Sequence, residues 1–240
     1  MNILNTRPEH QSSHLIKLLE GMGATIAHLP VITIRPTPFH TENTNHFDHL
    51  IFLSANAVNC FFDKVSHPHH RSIICIGPAT KKALEKFNIR NIILPVQFNS
   101  EGILALPLLQ NINNQTIALI CGENPKPLLQ QTLQQRGAQI KLITCYRRVP
   151  AAYHMKIIFP ELQSQKIDMI ISASLESLTA LTALFHKPEY HSWLHSKTLC
   201  VISEKMKAVA TKSGFRSVII AENATDEAIV VAISQYFRVK

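Results

Sequence analysis

The segments 48–58 (DHLIFLSANAV) and 168–178 (DMIISASLESL) show one pattern twice in the chain. Each begins with an aspartate, continues as a short apolar run and changes to small polar residues followed by helix-forming sequence. The repeat continues without a gap between 72–106 and 198–232, where NSEGI in the first copy aligns with TDEAI in the second. A degenerate repeat on this scale predicts two similar domains rather than one long sheet.

Apolar runs of strand length alternate with helical patterns through most of the chain. NIL precedes PEHQSSHLIKLLEGMG, SIICIG precedes PATKKALEKFN, TIALIC precedes KPLLQQTLQQRG, and ATIAHLPVITI is predicted as strand. The runs are apolar on both faces, which is typical of parallel strands covered by helices. The sequence therefore predicts an α/β protein with two similar parallel-sheet domains of flavodoxin-like or Rossmann-like type.

The two copies do not divide the chain cleanly, since one strand-helix unit precedes the first copy and another lies between the copies. We expect residues 1–32 and 151–240 to form one discontinuous domain and residues 38–143 to form a second, inserted domain. The chain would then cross between domains twice, through connector strands at 33–37 and 144–150.

The 240-residue chain has a formal net charge of +8, which points to an acidic partner. The lysines and arginines are scattered, with no run longer than two and no basic stripe interleaved with aromatic residues. Charge alone therefore leaves nucleic acid and a small polyanionic substrate both open.

No apolar stretch approaches the ~18 residues of a membrane helix, and the start MNILNTRPEH lacks the features of a signal peptide. We expect a cytoplasmic protein that does not enter a membrane. The cysteines, Cys60, Cys75, Cys121, Cys145 and Cys200, form no C-x-x-C pair and are predicted to be buried reduced thiols. The tract 67–70 (HPHH) has no partner ligands at zinc spacing, so no metal site is predicted.

Small hydroxyl and amide residues follow most of the predicted strands. In open parallel sheets, ligands bind beyond the carboxyl ends of the strands, where helix N-termini favour anions. The strand ends of this kind are 6–8, 54–56, 77–80, 121–122, 172–174 and 203–205. The alternative for each serine, threonine or asparagine is a helix N-cap, and 99–101 and 225–227 look like caps with an acidic first turn.

The chain contains no nucleophile elbow, Walker loop or dinucleotide fingerprint. An enzyme without such groups can still act by holding a reactive substrate in one shape.

Several segments together resemble the uroporphyrinogen-III synthase family over nearly all of the chain. They are LNTRPEHQSSHLIKLLEGMGATIAHLPVITIRP, IFLSANAVNCFF, CIGPATKKALEKFNI, NSEGILALPLL, ICGENPKPLLQQTLQQRGAQIKLITCYRRVP and SEKMKAVATKSGF. Few families begin with T-R-P and place Y-R-R-x-P after a G-A-x-I strand, so the order and spacing of the segments are more specific than any one of them.

The resemblance implies a cyclising lyase that uses neither a metal nor an organic cofactor. Family members convert hydroxymethylbilane, a linear tetrapyrrole with eight carboxylates, to uroporphyrinogen III with loss of water and inversion of ring D. The resemblance also implies two α/β domains joined by a two-stranded connector, with the site in the cleft between them. Such a polyanionic substrate would give the positive charge a use.

The resemblance extends to partners. It implies a transient contact with hydroxymethylbilane synthase, which makes the substrate, and no nucleic-acid partner. We expect a monomer, because the sequence shows no exposed heptad or evident dimer patch.

Candidate site residues also follow from the resemblance. Tyr146, in CYRRVP, lies where the family places its acid, and the alternative is an amphipathic residue packed on the connector. The residues expected to bind substrate carboxylates are Arg7, Ser54, Ala55, Asn56, Thr80, Gly122, Lys126, Ser172, Ala173, Ser174 and Ser203. Arg7 fits a surface arginine equally well.

The chain departs from the family's pattern at three places. After Gly122 the family commonly has a glycine-rich turn with an arginine, whereas this chain has ENPKP, in which Lys126 would supply the charge. Met206 occupies the second-copy position that matches Thr80, and Leu53 stands where a threonine is frequent, so two hydroxyl groups are lost.

Two other classes of function remain open from the residues. A two-domain ligand-binding module without chemistry shares paired α/β domains, and a nucleic-acid-binding protein is suggested by charge alone.

Overall fold

The expected alternation of strands and helices is present in a computed structural model, which describes residues 1–40, 46–66, 68 and 70–238. The strands are β1 (Asn2–Asn5), β2 (Thr25–His28), β3 (Ile32–Pro36), β4 (Phe47–Phe52), β5 (His70–Cys75), β6 (Ile92–Ile93), β7 (Thr116–Gly122), β8 (Gln139–Pro150), β9 (Met169–Ile171), β10 (Thr198–Val201) and β11 (Ser217–Ile220). The helices are α1 (Ser13–Gly21), α2 (Ala55–Phe62), α3 (Pro78–Glu85), α4 (Ser100–Leu104), α5 (Pro127–Gln135), α6 (Met155–Ser164), α7 (Leu175–Leu184), α8 (Pro188–His195), α9 (Glu204–Lys212) and α10 (Asp226–Arg238). Short 3-10 turns lie at Glu9–Gln11 and Pro107–Leu109.

The chain folds into two units. Unit 1 comprises Met1–Thr33 and Val149–Lys240, and unit 2 comprises Ile34–Arg148. The chain passes from unit 1 to unit 2 within β3 and returns within β8. The connector expected at 144–150 lies within β8, and that expected at 33–37 lies within β3 except for Thr37. These two strands are neighbours in one sheet.

Unit 1 is built on a five-stranded sheet with the order β11-β10-β9-β1-β2, in which all neighbours are parallel. Its two faces are covered separately, since Leu4 packs in one apolar cluster and the adjacent Ile3 packs in another. A strand that is buried on both faces needs apolar residues at every position, which explains the continuous run at the start of the chain.

Unit 2 contains a six-stranded sheet with the order β3-β8-β7-β4-β5-β6, in which β8 through β6 are parallel. Leu50 and Phe52 of β4 pack in one cluster, whereas Ile51 packs on the other face. Both units therefore have the helix-covered parallel sheets that the repeat predicts, and the α/β fold is confirmed.

The prediction of one strand over ATIAHLPVITI is wrong. The structure divides it into β2 and β3, which lie in different sheets. Pro30 lies between them and has no N–H group, so it cannot donate to a strand ladder at that position. None of the described helices is long and apolar enough to cross a bilayer.

All five cysteines are buried free thiols, as predicted. Burial raises the pKa of Cys75 and Cys121 to about 11, and that of Cys145 and Cys200 to about 12. In the unfolded chain the thiol pKa is near 9.0. As the pH rises above this value, the unfolded chain loses thiol protons that the folded protein retains.

We expect the stability contributed by these thiols to be complete below about pH 9 and to fall as the pH approaches 11 to 12. Each thiol lowers the free energy of unfolding by up to about 1.4 kcal/mol per pH unit in that window. Urea unfolding of the wild type and of Cys200→Ala at several pH values gives the change in the free energy of unfolding per pH unit. Cys200→Ala should show a smaller decrease between pH 9 and about 12. A decrease equal to that of the wild type would contradict the raised pKa of Cys200.

Candidate functional site

The parallel strands of unit 2 bring several predicted residues to one edge of the sheet. Ser54 follows β4, Gly122 ends β7 and Tyr146 lies in β8, and these three strands are adjacent. The carboxyl ends of parallel strands share an edge, so residues distant in sequence become neighbours there.

The hydroxyl groups of Ser54 and Tyr146 form a hydrogen bond at 2.9 Å. The Ser54 Oγ atom also accepts a hydrogen bond from the backbone N–H of Ala57 at 3.1 Å. Tyr146 is only 3% exposed, so its ring is fixed and its hydroxyl has a defined position. We call these two side chains the hydroxyl pair.

A register shift between β7 and β8 places Tyr146 beside this edge. Cys121 is paired with Thr144 and Gly122 with Tyr146, so Cys145 is an extra residue on β8. A bulge of this kind redirects the side chains that follow it.

Gly122 makes room for the tyrosine ring. A Cβ atom at Gly122 would lie 2.6 Å from Cζ and 3.0 Å from the hydroxyl oxygen of Tyr146. Only a glycine allows the ring to approach the β7 backbone so closely.

The N-cap interpretation is confirmed for three of the predicted site serines. Ser54 caps α2, Ser174 caps α7 and Ser203 caps α9, each through a side-chain oxygen that accepts a backbone N–H. Ala55 and Asn56 form the first turn of α2 and are half-buried. A cap and a ligand contact are compatible, because the cap leaves other N–H groups of the first turn available.

Thr80 and Ser172 are both buried. Ser172 Oγ donates a long hydrogen bond of 3.5 Å to the backbone oxygen of Ser174, and Ala173 between them is half-buried. Because the hydroxyl groups of Thr80 and Ser172 are buried, a ligand would meet the backbone near these two residues rather than their side chains.

Arg7 lies at the carboxyl end of β1 in unit 1, and its charge is already paired. Its guanidinium forms an ion pair with Asp226, whose other carboxylate oxygen is 2.8 Å from His14 Nδ1. The side chain is only 13% exposed, so Arg7 is a partly buried, ion-paired residue rather than a freely exposed one. A substrate carboxylate would have to compete with Asp226 for this guanidinium.

One feature of this edge was missed in the sequence. Phe98, in the loop after β6, is 57% exposed and packs on Gly77, at which a Cβ atom would lie 3.3 Å from Phe98 Cβ. Gly77 caps α3 at the end of β5. The apolar Val96 and Phe98 in the otherwise loop-like LPVQFN were the available signal.

Within the described residues, no group of three or more His, Cys, Asp or Glu side chains could hold a metal ion. Two histidines of the HPHH tract, His67 and His69, lie outside the described residues.

Comparison with known proteins identifies the family. The family model described as uroporphyrinogen-III synthase HemD matches residues 13–231. The chain belongs to the uroporphyrinogen-III synthase family. It is 28% identical over 246 residues to the uroporphyrinogen-III synthase of Escherichia coli strain K12, covering 97% of this chain and all of that relative. It is 29% identical over 194 residues to that of Proteus mirabilis, covering 75% and 97% of the two chains.

Solved structures of uroporphyrinogen-III synthases share the fold. The structure from Helicobacter pylori 26695 gives a TM-score of 0.64 at 14% identity, covering 100% of this chain and 99% of that one. A triple-mutant structure from the extremely thermophilic bacterium Thermus thermophilus gives 0.55 at 14% identity over the full length of both chains.

The ENPKP turn after Gly122 is fixed by local features. In ENPKP, Asn124 adopts a positive φ of 54°, a conformation that asparagine tolerates better than most residues. The N–H of Glu123 donates to the backbone oxygen of Tyr146 at 2.9 Å, which fixes the turn to β8. Lys126 is exposed and precedes Pro127, the first residue of α5.

Proposed function

We propose that this protein cyclises hydroxymethylbilane to uroporphyrinogen III, with loss of water and inversion of ring D. The observation that carries the proposal is the hydroxyl pair, which lies at the carboxyl edge of a parallel sheet, where such sheets generally bind ligands, in a chain of this family. The proposal requires neither a metal nor an organic cofactor.

Tyr146 is the proposed general acid. Its ring is buried against Gly122, and its hydroxyl hydrogen bonds to Ser54, so a proton is held at one defined place. Ser54 Oγ already accepts the N–H of Ala57, and it can accept the Tyr146 proton or donate to the Tyr146 oxygen. The pair can therefore present a proton to a leaving hydroxyl and remain hydrogen-bonded afterwards.

The chemical steps balance with one proton supplied and one returned. Tyr146 protonates the terminal hydroxyl, the C–O bond breaks and water leaves, giving an electrophilic azafulvene in its protonated, cationic form and a tyrosinate. The substituted carbon of ring D attacks it to form a spiro intermediate, which fragments and recloses with the ring inverted. The final closure, at the free carbon of ring D, releases a proton that restores the tyrosine.

Anion binding at the strand ends provides the orientation. In unit 2 we assign carboxylate contacts to Ser54, Ala55, Asn56, Thr80, Gly122 and Lys126, and in unit 1 to Arg7, Ser172, Ala173, Ser174 and Ser203. Support comes from the helix N-termini that most of them occupy, where free N–H groups and the helix dipole favour negative charge. The formal charge of +8 favours a polyanionic substrate.

The same linear substrate cyclises without inversion when it is left alone. The enzyme must therefore redirect an easy reaction, and interactions that fix the geometry of the transition state are the means to do so. This requirement explains how a site with one acid and several anion-binding positions can be sufficient.

The test is an isomer assay. The purified protein is supplied with enzymically made hydroxymethylbilane, with and without EDTA, and the oxidised products are separated. Isomer III above the spontaneous background, unchanged by EDTA, is expected. Isomer I alone would overturn the proposal and favour a binding module without chemistry.

Ser54→Ala should lower turnover only modestly, by about tenfold, because one hydrogen bond to Tyr146 is lost while the backbone N–H groups remain. Loss of the cap should also lower the free energy of unfolding by about 1 kcal/mol. Asn99→Ala is the matched control, because Asn99 caps α4 in the same unit through Gly102 N–H at 2.7 Å.

The control should show a similar stability loss and wild-type turnover. Initial rates measure turnover, and urea unfolding measures the free energy of unfolding. Equal turnover losses in both variants would mean that the Ser54 effect is structural.

The proposal also includes a cytoplasmic location and a monomeric state, with transient transfer of substrate from hydroxymethylbilane synthase. Five free thiols favour a reducing compartment.

A further inference from the structure

Unit 1 contains a cavity that no residue of the proposed substrate site lines. Its volume is about 580 Å³, and its walls come from the segments 151–157 and 183–190. These segments are the entry to α6 with its first turn, and the end of α7 with the start of α8. The volume lies within the range of sites that bind small molecules.

The polar side chains around this cavity are basic or neutral. Lys156, Lys187, His154 and His186 line it, and no aspartate or glutamate does. Among the described residues, neither lysine forms an ion pair with a carboxylate. A cavity with two unneutralised ammonium groups attracts anions.

The remaining lining is largely apolar. Tyr190 is buried and its ring lies 4.7 Å from that of Phe159, which fixes the wall that it forms. Tyr153 is held by a hydrogen bond from its hydroxyl to the backbone oxygen of Pro30 at 2.8 Å. Ile157 is 72% exposed, so covering it with an apolar group would be favourable.

We propose that this cavity is a second ligand site, which binds a small organic anion with an apolar or aromatic body. The lysines contact the anionic group and the apolar lining covers the body of the ligand. The concave shape and limited volume fit a small molecule rather than a protein segment. This inference does not depend on the proposed enzymatic activity.

The test uses 2-naphthoate as the anionic probe and 2-naphthamide as its neutral analogue, with the full-length protein carrying labelled alanine and isoleucine methyl groups. Titration with 2-naphthoate should shift the methyl resonances of Ala151, Ala152, Ile157 and Ala183 in a saturable way. The amide should bind about tenfold more weakly. Absence of saturable shifts, or shifts confined to Ala55 and Ala173 at the strand ends, would overturn the proposal.

Charge and shape can then be tested separately. The double variant Lys156→Glu with Lys187→Glu should weaken 2-naphthoate binding by about tenfold or more. The control, Lys17→Glu with Lys212→Glu, makes the same change in net charge elsewhere in unit 1 and should leave 2-naphthoate binding unchanged. Ala183→Phe should abolish binding by filling the cavity, with both lysines in place. Equal affinities for the two double variants, or unchanged affinity of Ala183→Phe, would contradict the site.

Discussion

Tyr146→Phe is expected to lower the turnover of hydroxymethylbilane to uroporphyrinogen III by about 10² to 10⁴-fold, the usual range for loss of a general acid. The substitution keeps the ring that packs on Gly122 and removes only the hydroxyl that bonds to Ser54. The free energy of unfolding should therefore change by no more than about 1 kcal/mol. The value of kcat should fall while KM changes little, because the acid acts in the transition state.

Initial rates with isomer separation measure this effect, and urea unfolding shows whether the fold is intact. Tyr236→Phe is a matched control, since Tyr236 and Thr198 also form a hydroxyl–hydroxyl hydrogen bond at 2.9 Å. The control should retain wild-type turnover. Full activity of Tyr146→Phe would remove the acid assignment but not the family membership.

Gly122→Ala should lower both the free energy of unfolding and the turnover. The new methyl group would lie 2.6 Å from a ring carbon of Tyr146, well inside contact distance, and the buried ring has little room to move. Overpacking of this kind costs about 1 to 3 kcal/mol. The ring would also be displaced from Ser54, so turnover should fall by at least about tenfold.

Gly21→Ala is the control for the same chemical change. A Cβ atom at Gly21 meets no heavy atom within 4 Å, and the residue lies in α1, where alanine is the better helix former. Its free energy of unfolding should be unchanged or slightly raised. Urea unfolding of both variants measures stability, and initial rates measure turnover. A Gly122→Ala protein as stable and active as the wild type would show that the position of the Tyr146 ring is unimportant.

The parallel sheets and the positions of the strand ends could be predicted from the sequence, because they depend on local apolar runs and on a repeat. The residues that cap α2, α7 and α9 were also visible, since small hydroxyl residues before helices have few roles. What could not be predicted depends on partners that are distant along the chain. Ser54 and Tyr146 are 92 residues apart, and Arg7 and Asp226 are 219 residues apart.

Other errors have local causes that outweigh periodicity. Pro30 lies between two strands, inside a run of apolar residues that otherwise suits a single strand. The bulge between β7 and β8 changes the register by one residue, and no residue type in the sequence marks it. Apolar periodicity therefore locates the elements, whereas proline positions and sheet register decide where the functional side chains lie.

The position of β1 has a consequence for folding during synthesis of the chain on the ribosome. This strand lies between β9 and β2, and its pairing with β9 joins Asn5 to Ile171. At bacterial or eukaryotic translation speeds, the ribosome needs on the order of ten seconds to make the intervening residues. Unit 2 is one continuous segment of the nascent chain and can fold during that time. Until β9 has been made, the edge of β1 that pairs with it stays unpaired.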